Sequence, residues 1–184
     1  MVQTAAEVGA PALHVLLLVD FQVGFVRAET EHLLKPVQGL VHDSFFSSVI
    51  ATRFINVQGS LWQTAIHWDG LLSAREQALA VSLPPASILI DKKSYGIPHK
   101  DFEQLLKRLE GSRVFLAGIE SDVCVAVIAA SLFDAGLAPY VLCEFTGTNR
   151  GSEHQAHALD TLARIVGRDQ MIEDFRSYSA ANRS

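Results

Sequence analysis

The stretch RVFLAGIESDVCVAVIAASLFDAG, residues 113–136, decides the fold. VFLAGI is apolar without alternation, as in a strand buried on both faces of a parallel sheet. From Ser121 the chain keeps an apolar face at helical spacing until Gly136 ends it. A strand that passes at once into a helix is the repeating step of an α/β sheet.

Working outward, similar apolar runs recur at LHVLLLVD (13–20), SSVIATRF (47–54), ASILIDK (86–92) and APYVLCEF (138–145). Between them, DFEQLLKRLEG (101–111) aligns Phe102, Leu105, Leu106 and Leu109, and EHQAHALDTLARIVG (153–167) aligns Ala156, Leu159, Leu162, Ala163 and Val166. The alternation predicts a doubly wound α/β fold with helices on both faces of the sheet, and ligands in such folds bind outside the carboxyl ends of the strands. No linker splits the 184 residues, so one domain is expected over 1–184, with 1–12 as a flexible terminus. Residues 56–86 show no clear period, and a loop of that length is expected to form a wall or lid of a site.

Composition narrows the function classes. Hydrophobic residues at 49% against 19% charged describe a globular chain. A net charge of −5, with no basic cluster interleaved with aromatics, argues against a nucleic-acid partner. Cys124 and Cys143 are too few for a disulfide framework and lack a CxxC zinc spacing, which points to reduced thiols and a cytoplasmic setting. The segment before Asp20 has no cationic start, and its apolar run is short. Neither a signal peptide nor a membrane span is expected.

Three chemically active side chains fall at strand ends: Asp20 after the first strand, Lys92 after the third, Cys124 after the fourth. Each has an ordinary reading. Asp20 can cap the next segment, Lys92 can form a solvated pair with Lys93, and Cys124 can be a small core residue. Together they suit a nucleophile with its base and an orienting charge. With Ser121 as N-cap, Cys124 is the third helical residue, where the helix dipole and a nearby ammonium lower a thiol's pKa and Asp122 opposes them. Backbone N–H groups of Glu120 and Cys124 can then face one oxyanion, the layout of acyl transfer.

With these residues assembled, the sequence resembles the isochorismatase-like cysteine hydrolases over about Leu13 to Ile172. LLLVDFQVGF resembles the family's first strand with a catalytic aspartate at Asp20. ILIDKKSYGI resembles its lysine block, which selects Lys92 over Lys93 and places an aromatic at Tyr95. LAGIESDVCVAVIAASLFDAG resembles the nucleophile block. The resemblance implies a three-layer fold with a six-stranded parallel sheet in the order 3-2-1-4-5-6, a cis peptide from Ile119 to Glu120, and a homo-oligomer, dimer or tetramer. In that order the third strand does not adjoin the first, so Lys92 has to reach in from its loop.

Nicotinamidases of this family carry an Asp-x-His metal motif after the second strand. The matching ATRFINVQGSLW (51–62) has neither residue, so no metal and no cofactor are expected. Retention of Cys124 favours cleavage of a C–N bond in a small amide or carbamoyl substrate through a thioester. The alternatives are enol-ether cleavage with Asp20 as general acid, and a ligand-binding or scaffolding member without turnover. Gln22, Phe25, Trp62 and Tyr95 are expected to bind substrate. Trp68 and His67 fall in the same irregular stretch, where the tryptophans suit either a pocket wall or a subunit contact. Phe21 and Cys143 read as core, and His154 with His157 as a solvated helix face.

Overall fold

The structure, a computed structural model, describes residues 13–183. The flexible terminus expected over 1–12 lies outside them. In chain order the elements are β1 (His14–Val19), α1 (Leu34–Leu40), β2 (Ser48–Phe54), α2 (Leu61–Thr64), α3 (Ala74–Gln77), β3 (Ile88–Lys92), α4 (His99–Leu109) and β4 (Arg113–Ile119). There follow a π-helical turn over Ser121–Val125, α5 (Ala126–Asp134), β5 (Tyr140–Gly147), α6 (Ser152–Val166), β6 (Met171–Ile172) and α7 (Phe175–Asn182).

The six strands form one sheet in the order β3-β2-β1-β4-β5-β6, all parallel, as the resemblance implied. The central strands are apolar throughout because both faces are covered. Along β1, Leu16 and Leu18 enter one core with Val37 and Leu40 of α1 and Phe175 of α7. Val15, Leu17 and Val19 enter the other with Leu105 of α4, Ile128 of α5 and Leu162 of α6. Helix α6 presents Ala158 inward, and Ala156 points outward.

The edge strand corrects one expectation. Strand β3 is not buried on both faces: Ile88, Ile90 and Lys92 turn inward, while Leu89 is 42% exposed and Asp91 is exposed beside Arg53. It has a strand neighbour on one side only, so its outward residues keep contact with solvent.

β1 and β4 adjoin at the switch point, where the winding of the chain reverses. Their approach depends on Gly118, whose φ is +138° and where a Cβ would stand 2.0 Å from the Val19 carbonyl oxygen. Gly118→Ala combines that overlap with a disfavoured backbone, and it is expected to lower stability by about 3 kcal/mol or more. The urea midpoint measures it, and a midpoint within error of the unsubstituted protein would contradict this packing.

Candidate active site

The sheet delivers three side chains to one point. Asp20 directly follows β1 with φ +47°, a left-handed conformation that aspartate tolerates better than most side chains. Thr52 of β2 holds it there. The Asp20 N–H donates to Thr52 Oγ1 at 3.1 Å, and the Thr52 hydroxyl donates to Asp20 Oδ1 at 2.7 Å. This leaves Oδ2 facing Lys92 Nζ at 2.7 Å, and neither side chain of the pair has any solvent exposure.

Lys92 reaches this carboxylate from the strand itself, not from its loop. It is the last residue of β3, in register with Phe54 of β2 and on the same face as Ile88 and Ile90. Two strand spacings, about 9.5 Å, separate β3 from β1, a gap that an extended lysine and an aspartate can bridge between them. The ammonium passes over the Phe54 ring at 5.5 Å from its centroid. It donates to the carbonyl oxygens of Ser94 at 2.9 Å and Tyr95 at 3.0 Å, and stands 3.7 Å from Cys124 Sγ. Those carbonyls hold it in place between Asp20 and Cys124. Lys93 points to solvent.

The helix start before Cys124 differs from the expected one. Glu120, not Ser121, occupies the N-cap position, and the Ser121 hydroxyl donates to Gln155 Oε1 at 2.8 Å. The N–H groups of Val123 and Val125 both donate to the Glu120 carbonyl oxygen, and the Cys124 N–H between them does not. The peptide from Ile119 to Glu120 is cis.

The thiol also departs from expectation. Burial pushes the Cys124 thiol well above its ordinary range, Asp20's negative charge adds to the effect, and Lys92 draws it back only in part. At 6% exposure, desolvation is the largest of these effects. The resting sulfur therefore holds its proton, and a nucleophilic attack requires a base in contact with it.

A cavity of about 390 Å³ opens above the sulfur. Phe25, Trp62 and Tyr95 line it, together with Phe54, Ile66 and Trp68. Residues 56–86 thus supply part of its wall. Trp68 stacks on Phe25 at 5.9 Å between centroids, and Trp62 meets Tyr95 edge-on at 4.4 Å. His67 is exposed and does not line the cavity.

Gln22 is placed elsewhere than expected. Fully buried, it bonds the Phe54 N–H and carbonyl at 2.7 and 2.9 Å and the Gln77 carbonyl at 2.8 Å, so it ties strand ends together and does not line the cavity. His154 and His157 lie on α6 and also stand apart from the cavity. Cys143 is half-buried in β5, with its thiol pushed up to about 11 chiefly by burial.

Sequence reading missed two charged groups of the cavity wall, Arg27 after β1 and Arg150 after β5; Glu120 and Asp122, both named from the sequence, line the same wall beside Cys124. Arg150 stands 3.7 Å from Asp122. The only sequence signal for the arginines is that both follow strand ends.

The position of the metal motif does not fit a metal. Asn56 is buried and spent, donating to the Gly70 carbonyl and accepting from the Val57 N–H and the Ser60 hydroxyl. Arg53 is held by both oxygens of Asp91. Among the described residues, no group of three or more His, Cys, Asp or Glu side chains is arranged to hold a metal ion, and no helix is long and apolar enough to cross a membrane.

Comparison with solved structures finds this fold repeatedly. An isochorismatase-like hydrolase from Alkaliphilus metalliredigens superposes with a TM-score of 0.78 at 14% identity, over 92% of this chain and 99% of that one. A pyrazinamidase/nicotinamidase from Streptococcus mutans gives 0.73 at 17%, over 86% and 99%. N-carbamoylsarcosine amidase from Thermoplasma acidophilum gives 0.70 at 15%, over 88% and 99%. Among curated protein sequences no relative is detected. The sequence model of the Isochorismatase domain matches residues 14–170, nearly the whole described chain, from the strand that presents Asp20 past the helix that backs Cys124. With the parallel sheet and its switch-point site, that match makes the chain a member of the isochorismatase family of hydrolases.

Proposed function

We propose that the protein is a cysteine hydrolase that cleaves the C–N bond of a small amide or carbamoyl compound through a thioester at Cys124. The observation that carries the reading is that buried Lys92 touches both Asp20 and Cys124, with Asp20 also in hydrogen-bonding reach of the thiol, beneath a cavity that Cys124 lines. A protonated thiol needs a base, and the Asp20 oxygen facing Lys92 accepts no other hydrogen bond among the described residues.

Asp20 takes the thiol proton as Sγ attacks the carbonyl carbon, and Lys92 stabilises the negative charge shared between sulfur and carboxylate. The N–H groups of Glu120 and Cys124 receive the oxyanion. Asp20 then passes its proton to the departing nitrogen, the C–N bond breaks, and the thioester forms. Water, deprotonated by Asp20, adds to the thioester and releases the acid and the thiol. The aromatic walls suit a substrate with an apolar body and leave the amide as the group that reaches the floor.

The fold neighbours named as amidases suggest a panel of aromatic carboxamides and N-carbamoyl amino acids. Rapid acid quench, followed by mass spectrometry of the intact protein and of its acid-stable peptic digest, should then show the acyl mass on the peptide containing Cys124, with release of ammonia or amine. Turnover of an amide with no acyl mass at Cys124 under single-turnover conditions would contradict the mechanism.

A further inference from the structure

Glu120 follows the last residue of β4, and its backbone N–H is one of the two assigned above to the oxyanion. Its side chain turns toward a polar network that joins three loops. Glu120 Oε2 accepts from the Thr148 hydroxyl at 2.8 Å and from the Asn149 N–H at 2.8 Å, and Oε1 accepts from Asn149 Nδ2. Asn149 Nδ2 also donates to the Phe25 carbonyl at 2.8 Å, and the Thr30 hydroxyl donates to Asn149 Oδ1 at 2.9 Å.

Chemistry fixes the orientation of this amide. Both neighbours on one side are acceptors and must meet nitrogen, and the hydroxyl on the other side meets oxygen. The two Nδ2 protons and Oδ1 each have a partner. Thr30 is fully buried and Thr148 nearly so, which gives the network little freedom to exchange partners with water. Asn149 therefore links the loop after β1, the turn after β4 and the loop after β5.

We propose that Asn149 is a positioning residue for the reaction: acting through the Glu120 carboxylate, it holds the Glu120 N–H toward the oxyanion. The proposal rests on the cysteine-hydrolase reading above. Asn149 need not touch substrate through its amide, because all three of its polar groups are committed to the protein. Its effect should appear where the oxyanion forms and not in ground-state binding.

The test measures 4-nitrophenolate release from 4-nitrophenyl acetate, taking the part of the rate that Cys124→Ala removes. This probe reports acylation of the sulfur whatever the natural amide is. Asn149→Asp places a carboxylate against Glu120 and the Phe25 carbonyl. It is expected to lower kcat about a hundredfold, the usual loss for one oxyanion donor, with KM within about threefold. Adding Glu120→Gln supplies a donor that faces the new carboxylate, and the double variant should recover at least about tenfold over Asn149→Asp alone.

If Asn149→Asp does not fold, Thr148→Val takes its place. It removes the hydroxyl bond to Glu120 and should lower kcat about five- to tenfold at unchanged KM. A rise in KM at constant kcat would overturn the proposal, since the network would then only shape the cavity. A double variant no better than Asn149→Asp would overturn the route through Glu120. If the unsubstituted protein shows no Cys124-dependent release, the hydrolase reading falls and takes this proposal with it; an active protein whose Asn149 and Thr148 variants keep full kcat sinks the proposal alone.

Discussion

Cys124→Ala is expected to lower amide turnover by about four orders of magnitude or more while leaving the fold in place. In the proposed mechanism the sulfur forms and breaks the bonds, and alanine offers no atom that can take over. The structural cost is small by comparison. Cys124 belongs to a core of aliphatic residues that includes Val125, Ile128 and Ala129, and losing one sulfur from it should cost on the order of 1–2 kcal/mol. Circular dichroism and a urea midpoint establish that the variant folds, and ammonia release establishes that it is inactive. The same variant separates this mechanism from enol-ether cleavage. There Asp20 only has to protonate the substrate, sulfur bonds to nothing, and Cys124→Ala should keep most of its activity. Full amidase activity in a folded Cys124→Ala variant would remove the thioester from the mechanism.

Legibility in the sequence followed how local each cause was. β1 and β4 could be read because both faces of each strand are covered, so burial leaves an unbroken apolar run. β3 misled for the complementary reason. Isoleucine and leucine fill its outward and inward positions alike, and only its place at the edge of the sheet exposes Leu89. β6 is two residues long and carries no pattern at all.

The site divided in the same way. Asp20, Lys92 and Cys124 were legible because strand ends and family motifs coincide there. Lys92 carried a further signal, sharing its parity along β3 with Ile88 and Ile90, which face inward. The raised pKa of Cys124 was not legible, because it depends on how deeply the sulfur is buried and on a carboxylate 104 positions away in sequence. Gln22 looked like a pocket residue by position, and Phe54 of β2, beyond the last residue of β2 paired with β1, claimed it instead. Asn149 joins Thr30 across 119 positions and Glu120 across 29, a linkage that no spacing encodes.

Lys92→Met tests whether the buried charge pair is as tightly committed as its geometry implies. Methionine keeps the length of the side chain and removes the ammonium. Asp20 would then be left with Thr52 alone at full burial, and the carbonyl oxygens of Ser94 and Tyr95 would lose their donor. Removing one partner of a buried pair costs about 3–5 kcal/mol, a large share of the roughly 5–15 kcal/mol that holds a domain together. Activity should fall at least about a thousandfold, because the charge shared by sulfur and carboxylate loses its counter-ion. Adding Asp20→Asn to Lys92→Met removes the stranded charge, and the double variant should regain about 2 kcal/mol or more while staying inactive. Urea denaturation of the single and double variants gives the coupling. A Lys92→Met protein as stable and as active as its parent would mean that the contact between Lys92 and Asp20 is not committed as its geometry implies, and the role assigned to Lys92 would have to be abandoned.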